Sequence, residues 1–342
     1  MSRITTLIPA YKPDYLGEMF LGLRRQSFRD FRVILSDDSP GGVITDMVRD
    51  GRFGPLAAEL NLTVVKGPGN ARLNHQHLIN QWAGSGPAAD GLVHFMLDDD
   101  VVFPEFYRSH VEAHAGGNYA LSVSPRWLSQ GDSRPGWTLP LPTFVTQSPL
   151  RAVPVSPKQL FASVVPGCEN WLGELSNMVW SAEGVRHYPV PPSAGLSYYG
   201  LLDISAVLEA GRTMPLVFVR DHLSVFRQHA EQTTRTVHSH GHRVTMLVWA
   251  ACALHAWKEG RISDAETARA IGTTVQRCLK LYGEQDEVMN GFYTLVQHQG
   301  TSLASLHDAF TAYWLALLAS HPSTAAESYR PAAERQPDAL AA

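Results

Sequence analysis

The chain has 342 residues, 44% of them hydrophobic and 18% charged, with a formal net charge of -4. That balance predicts a packed globular chain of one large or two modest domains, and it lacks the basic excess that a nucleic-acid partner requires. The three cysteines, Cys168, Cys252 and Cys278, are too few and too far apart for a disulfide framework or a zinc ribbon, which fits a reducing cytoplasm. Residues 1–6 carry no basic-then-apolar leader. The longest apolar run, 246–257, contains His255 and is too short to span a bilayer. The expected location is cytoplasmic, with no transmembrane segment; peripheral contact with a membrane surface stays open.

In chain order, residues 3–8 form a β-rich run ended by Pro9. Helical spacing follows over 16–26, through Leu16, Met19, Phe20 and Leu23. A second strand over 31–35 stops at the turn signal Ser36-Asp37-Asp38-Ser39-Pro40-Gly41-Gly42. A short helix over 43–49, a strand over 62–65, a helix over 73–82 and a strand over 92–97 come next. This alternation predicts βαβ units and a mostly parallel sheet, whose ligands bind beyond the carboxyl ends of the strands. Residues 9–11, 37–38, 69–72 and 98–100 all fall at those ends.

From 125 to 166 the texture changes. Eight prolines, with Trp127, Trp137 and Phe144 among them, argue against regular helix or long strand and predict an irregular excursion over the rim. Order resumes over 169–180, a helix is expected over 200–211, and short strands over 215–219 and 223–226. After about residue 242 the chain reads as helical: 245–257, a helix opened by the capping box at Ser263-Asp264-Ala265-Glu266, then 287–297 and 303–320. The aromatic and leucine stripes of this region are read as core. Residues 321–342 read as a disordered tail. His238, His240 and His242 alternate, but no Cys or acid completes a metal set, so a mobile polar loop is expected there. His75 and His77, two apart on a helix, are read as structural.

The stretch Leu92-Val93-His94-Phe95-Met96-Leu97-Asp98-Asp99-Asp100 ends an apolar strand in three carboxylates. Alternation along a strand puts Asp98 and Asp100 on one face and turns Asp99 away. Two carboxylates about 7 Å apart repel by about 2 kcal/mol at an effective dielectric near 20. A hard divalent cation, Mn²⁺ or Mg²⁺, would relieve that cost and could also hold a diphosphate.

Over residues 3–234 the sequence resembles the family 2 glycosyltransferases, which have the GT-A fold. The resemblance rests on Thr6-Leu7-Ile8-Pro9-Ala10-Tyr11, on Gln26-Ser27-Phe28 leading to Val33-Ile34-Leu35-Ser36-Asp37-Asp38-Ser39, on the acidic triplet and on Phe226-Arg227-Gln228-His229. It implies an α/β GT-A domain over 1–240, with a nucleotide-sugar half to 124 and an acceptor half from 125, followed by a helical C-terminal region over 241–320. It further implies a metal-dependent, inverting hexosyltransferase of glycan biosynthesis. Such an enzyme moves a sugar from a nucleotide-diphospho-sugar, expected to be UDP-linked, to a hydroxyl of a glycan, lipid-linked, protein or small-molecule acceptor.

Carried over residue by residue, the resemblance assigns Pro9, Ala10, Tyr11, Asp37, Asp38, Arg72, Asn74, Asp98 and Asp99 to the nucleotide. Tyr11 offers a flat face for the base, and Asp37 or Asp38 accepts a hydrogen bond from it. Asp100, Asp98 and His229 are implied at the Asp-X-Asp metal centre, Asp100 directly. Asp203, opening a helix, takes the place of the general base; the family's acidic pair is here Leu202-Asp203. Glu169, Asn170, Trp171, Glu174 and Arg227 are candidates for acceptor or donor-sugar contact, Trp171 having core packing as its alternative. Competing readings are a non-catalytic nucleotide-sugar-binding relative and a sugar-1-phosphate nucleotidyltransferase. The latter needs a glycine-rich basic loop where Pro9-Ala10-Tyr11-Lys12-Pro13 stands.

Overall fold

The computed structural model describes residues 4–86, 91–188, 201–229, 239–300 and 302–320; the tail expected over 321–342 lies outside them. The chain opens with β1 (Ile4–Ala10), α1 (Leu16–Arg24), β2 (Phe31–Asp37), α2 (Val43–Arg49), α3 (Pro55–Glu59), β3 (Leu62–Lys66) and α4 (Ala71–Ala83). Then come β4 (Leu92–Phe95), β5 (Val101–Val102), α5 (Phe106–Ala115), β6 (Leu121–Val123), β7 (Arg126–Gln130), α6 (Thr143–Thr146), β8 (Ala152–Val155) and α7 (Pro157–Val164). Next are β9 (Met178–Trp180), α8 (Ala182–Val185), α9 (Leu202–Ala210), β10 (Leu216–Val219) and β11 (Ser224–Gln228). Four helices close the described chain: α10 (His240–Lys258), α11 (Asp264–Tyr282), α12 (Glu287–Gln299) and α13 (Leu303–Ala319).

Two compact units divide these elements. The first takes Met1–Pro157, Trp171–Pro189 and Ala210–Ala230; the second takes Lys158–Asn170, Val190–Glu209 and Glu231–Ala342.

In the first unit, eight strands form one sheet in the order β3-β2-β1-β4-β9-β6-β10-β8. β1, β2, β3 and β4 pair in parallel, as do β6 and β10, while β9 and β8 run against their neighbours. β1 and β4 are buried along nearly their whole length, as strands covered on both faces must be, which is why they read as apolar runs. A second sheet, β5-β11-β7, lies beyond the acidic triplet.

Pro9 sits inside β1 without cost. The Leu7 carbonyl accepts the Met96 N–H at 2.9 Å on the β4 side, and Pro9, two residues on, faces the gap where β4 has already left the sheet. Its missing N–H therefore breaks no ladder bond.

The excursion expected over 125–166 is more regular than its prolines imply. β7 joins the small sheet beside β11, and β8 pairs with β10 at the edge of the large one. Pro154 is accommodated because β8 is an edge strand, where a missing donor costs nothing.

In the second unit, the capping box is formed as expected: Ser263 Oγ accepts the Glu266 N–H at 3.3 Å, and Glu266 Oε2 accepts the Ser263 N–H at 2.8 Å. The aromatic stripe is core: Phe310 stacks on Trp314 at 5.9 Å and meets Phe292 edge-on at 5.9 Å. His240 and His242 do not form a loop. They open α10 behind a Ser239 cap, and His242 Nδ1 bonds the Tyr282 hydroxyl; His238 lies outside the described residues. No helix among the described residues is long and apolar enough to cross a membrane.

Candidate nucleotide and metal site

Asp98, Asp99 and Asp100 do not alternate, because β4 ends at Phe95 and the triplet lies in a turn beyond it. Each carboxylate goes a separate way. Asp98 Oδ2 accepts the N–H groups of Tyr11 and Lys12, both at 2.7 Å, and so ties down the loop after β1. Burial raises the Asp98 carboxyl above the usual range against the pull of these two donors. Asp99, expected to point away, instead meets His229: its Oδ2 lies 2.9 Å from His229 Nε2. Asp100 Oδ1 accepts the Arg227 N–H at 3.1 Å; its Oδ2 is buried and makes no close hydrogen bond among the described residues, and the Ser176 hydroxyl is the nearby donor that favours the ionised carboxyl. Burial first, then the Asp99 charge, pushes Asp100 well above the ordinary carboxylate range.

β11 supplies the opposing wall. Arg227 donates through Nε to the Asp99 carbonyl at 2.9 Å, lies 4.4 Å over the Tyr15 ring and pairs with Glu18. The Glu18 carboxyl is lowered chiefly by that Arg227 bond. His229 is buried, 5.3 Å from the Tyr15 ring, with Lys12 Nζ at 3.3 Å from its Nε2. His229 Nε2 thus meets both a carboxylate and an ammonium, which leaves Nδ1 as the ring nitrogen not engaged by either.

A cleft of about 630 Å³ opens at the ends of β2 and β3, lined by Asp37, Asp38, Thr45, Lys66 and the Gly67–Gly69 turn among others. The two aspartates differ there. Asp37 Oδ1 accepts from the Ser39 N–H at 2.9 Å and hydroxyl at 2.5 Å; Oδ2 accepts from the Thr45 N–H at 2.7 Å and hydroxyl at 2.6 Å. Its carboxyl is lowered: burial acts upward, and these four donors outweigh it. The stability this lends is present above the usual aspartate value of 3.8 and is lost as pH falls through the lowered folded value. Asp38 spends one oxygen on the Gly69 N–H at 2.5 Å, and its other oxygen has no partner among the described residues. Gly67 makes this contact possible, since a Cβ there would stand 2.4 Å from Asp38 Oδ1.

Tyr11 is 56% exposed beside this rim. Arg72 lies in the first turn of α4, and Asn74 is buried in the next, its Oδ1 unpartnered among the described residues. Trp171, at 4% exposure, packs edge-on to Phe144 and against Phe218, so its core reading is the one realised. Glu174 is taken up by a partly buried ion pair with Arg126, Oε1 to Nη2 at 2.8 Å. Asp203 opens α9, half-buried, in the second unit, which also holds Glu169 and Asn170. Lys12, Tyr15 and Glu18 were not singled out in the sequence. Lys12 directly follows Pro9-Ala10-Tyr11, and Tyr15 and Glu18 mark the start of α1, the only signals available.

Among the described residues no three His, Cys, Asp or Glu side chains form a ready cage. The residues nonetheless fit a hard divalent cation that brings further oxygen ligands with it. Asp100 Oδ2 is a buried carboxyl oxygen that a bound cation would hold ionised, and an imidazole that meets a carboxylate at one nitrogen is the usual form of a ligating histidine.

No family model matches the sequence. No curated protein matches it either. Solved structures do match in shape. Residues 1–349 of TarS from S. aureus, in complex with UDP-GlcNAc, superpose with a TM-score of 0.53 at 13% identity, over 92% of this chain and 91% of that one. A longer TarS structure gives 0.57 at 14% identity over 92% of this chain, which spans 53% of that one. GalNAc-T7 with UDP, GalNAc and Mn²⁺ gives 0.52 at 13% identity over 79% of this chain and 51% of that one. These neighbours are GT-A glycosyltransferases. The chain has the GT-A fold. The expected GT-A architecture is thus met, and within it the acidic turn stands beyond the carboxyl end of β4, on the rim where open α/β sheets bind ligands.

Proposed function

We propose that the chain is a metal-dependent, inverting glycosyltransferase of family 2 that uses a UDP-sugar. The observation that carries this is the acidic turn itself. Three adjacent carboxylates are held three different ways, and one buried carboxyl oxygen, Asp100 Oδ2, is left with no close hydrogen bond beside the Asp99–His229 pair. UDP-GlcNAc in TarS, and UDP with Mn²⁺ in GalNAc-T7, support the donor and metal classes.

In this reading Asp38 accepts a hydrogen bond from the base with its open oxygen, Tyr11 stacks on it, and Arg72 and Asn74 approach the nucleotide. Asp37 builds the turn rather than touching the ligand. Asp100 and His229 hold Mn²⁺ or Mg²⁺, with Asp98 fixing the β1 loop around them. When bound, the cation neutralises the departing diphosphate. Lys12 and Arg227 add positive charge at the same wall. Asp203 takes the proton from the acceptor hydroxyl as it attacks from the face opposite the leaving group. Glu169 and Asn170 remain candidates for acceptor contact.

The test is UDP release from a panel of UDP-sugars with water as the slow acceptor. Turnover that requires Mn²⁺ or Mg²⁺ and stops with chelator is expected. Tight binding of every donor with no release would make the chain a non-catalytic relative.

A further inference from the structure

β4 hands over from the sheet to the acidic turn through one residue of a distant segment. Met96 N–H makes the last sheet bond, to Leu7. The next donor, Leu97 N–H, is accepted by Ser176 Oγ at 3.1 Å. The Ser176 carbonyl in turn faces His94 Nε2 at 3.1 Å. A carbonyl only accepts, so Nε2 carries the ring proton, and Nδ1 accepts from the Tyr107 hydroxyl at 3.0 Å. The Tyr107 oxygen then accepts from Thr6 on β1 at 2.5 Å. Burial lowers His94 to about 4, so the ring stays neutral and this tautomer persists at physiological pH.

Ser176 is rigid enough to serve as an anchor. It lies in a short 3-10 turn, Leu175–Asn177, where Asn177 donates to the Leu172 carbonyl at 2.7 Å and the Ser124 carbonyl at 2.6 Å. One residue thus grips β4 twice, at His94 and at Leu97, immediately before the triplet. Two fixed points three residues apart set the direction in which the chain leaves the sheet, and hence where the Asp99 and Asp100 carboxylates arrive. Ser176 and Asp100 also border the same small void.

We propose that Ser176 is a positioning residue for the divalent cation, its hydroxyl accepting the Leu97 N–H and facing the Asp100 carboxyl, and its carbonyl locked by the His94–Tyr107 chain. This rests on the reading of the acidic turn as the metal site. A hydroxyl that merely filled core would affect stability and nothing else.

The experiment compares Ser176→Ala with Ser122→Ala. Ser122 is an equally buried serine, bonded to His110 at 2.7 Å and to the Val179 carbonyl at 3.3 Å. Mn²⁺ affinity is read by electron paramagnetic resonance in the presence of UDP, UDP affinity by calorimetry in chelator, and Tm by circular dichroism. Both variants should lose a similar few degrees. Only Ser176→Ala should weaken Mn²⁺ binding, by about tenfold, with metal-free UDP binding unchanged. Equal Mn²⁺ affinity in Ser176→Ala and wild type, or equal weakening in both variants, overturns the proposal. If Ser176→Ala does not fold, Tyr107→Phe, which frees His94 without changing volume, is expected to weaken Mn²⁺ several-fold; no change there overturns it. Wild-type protein that binds UDP but no Mn²⁺ removes the metal reading and this proposal together.

Discussion

Asp100→Asn is expected to lower metal-dependent turnover by about 10³-fold. The amide keeps the volume and an oxygen to accept the Arg227 N–H, so the β11 contact survives. What goes is the carboxylate charge that Oδ2 would present to a bound cation. A cation's charge stabilisation is worth several kcal/mol, and losing about 4 kcal/mol is about three powers of ten in rate. The check is kcat/KM for UDP release across an Mn²⁺ titration, beside UDP affinity in chelator. The second quantity should stay at the wild-type value, since Asp38 and Tyr11 are untouched. Turnover within twofold of wild type would place the cation elsewhere.

Asp203→Asn should leave donor binding intact and lower kcat by about 10²–10⁴-fold, the range a general base contributes. An interaction used only in the transition state lowers kcat and kcat/KM together, with KM unchanged. The start of α9 suits the role, because a helix N-terminus favours the ionised carboxylate. Glu169→Gln is the comparison. A full loss there with none in Asp203→Asn would reassign the base to Glu169.

The strand–helix alternation of the first half was legible because buried parallel strands are apolar runs and their ends carry turn signals. β1, β2, β3 and α4 lie within two residues of where the spacing put them. Strand alternation misled at the triplet. It assumes the strand continues, whereas β4 stops at Phe95 and the turn sends Asp99 to His229. Composition misled over 125–166, since prolines there sit in loops, at an edge strand and at the first position of α7 rather than preventing regular structure. Proposing Asp38 over Asp37 for the base rests on coordinates, because both fit a turn and only their hydrogen-bond partners differ. Ser176 carried no sequence signal, since the role proposed for it depends on a contact 79 residues away. Trp171 was equally ambiguous until its neighbours were known.

If a divalent cation joins this acidic turn to a nucleotide diphosphate, UDP must bind more tightly when the cation is present. Calorimetric titration of UDP into the wild-type chain, once with Mn²⁺ and once with chelator, tests it most directly. Affinity at least tenfold higher with the metal is expected. Identical isotherms in the two buffers would contradict it.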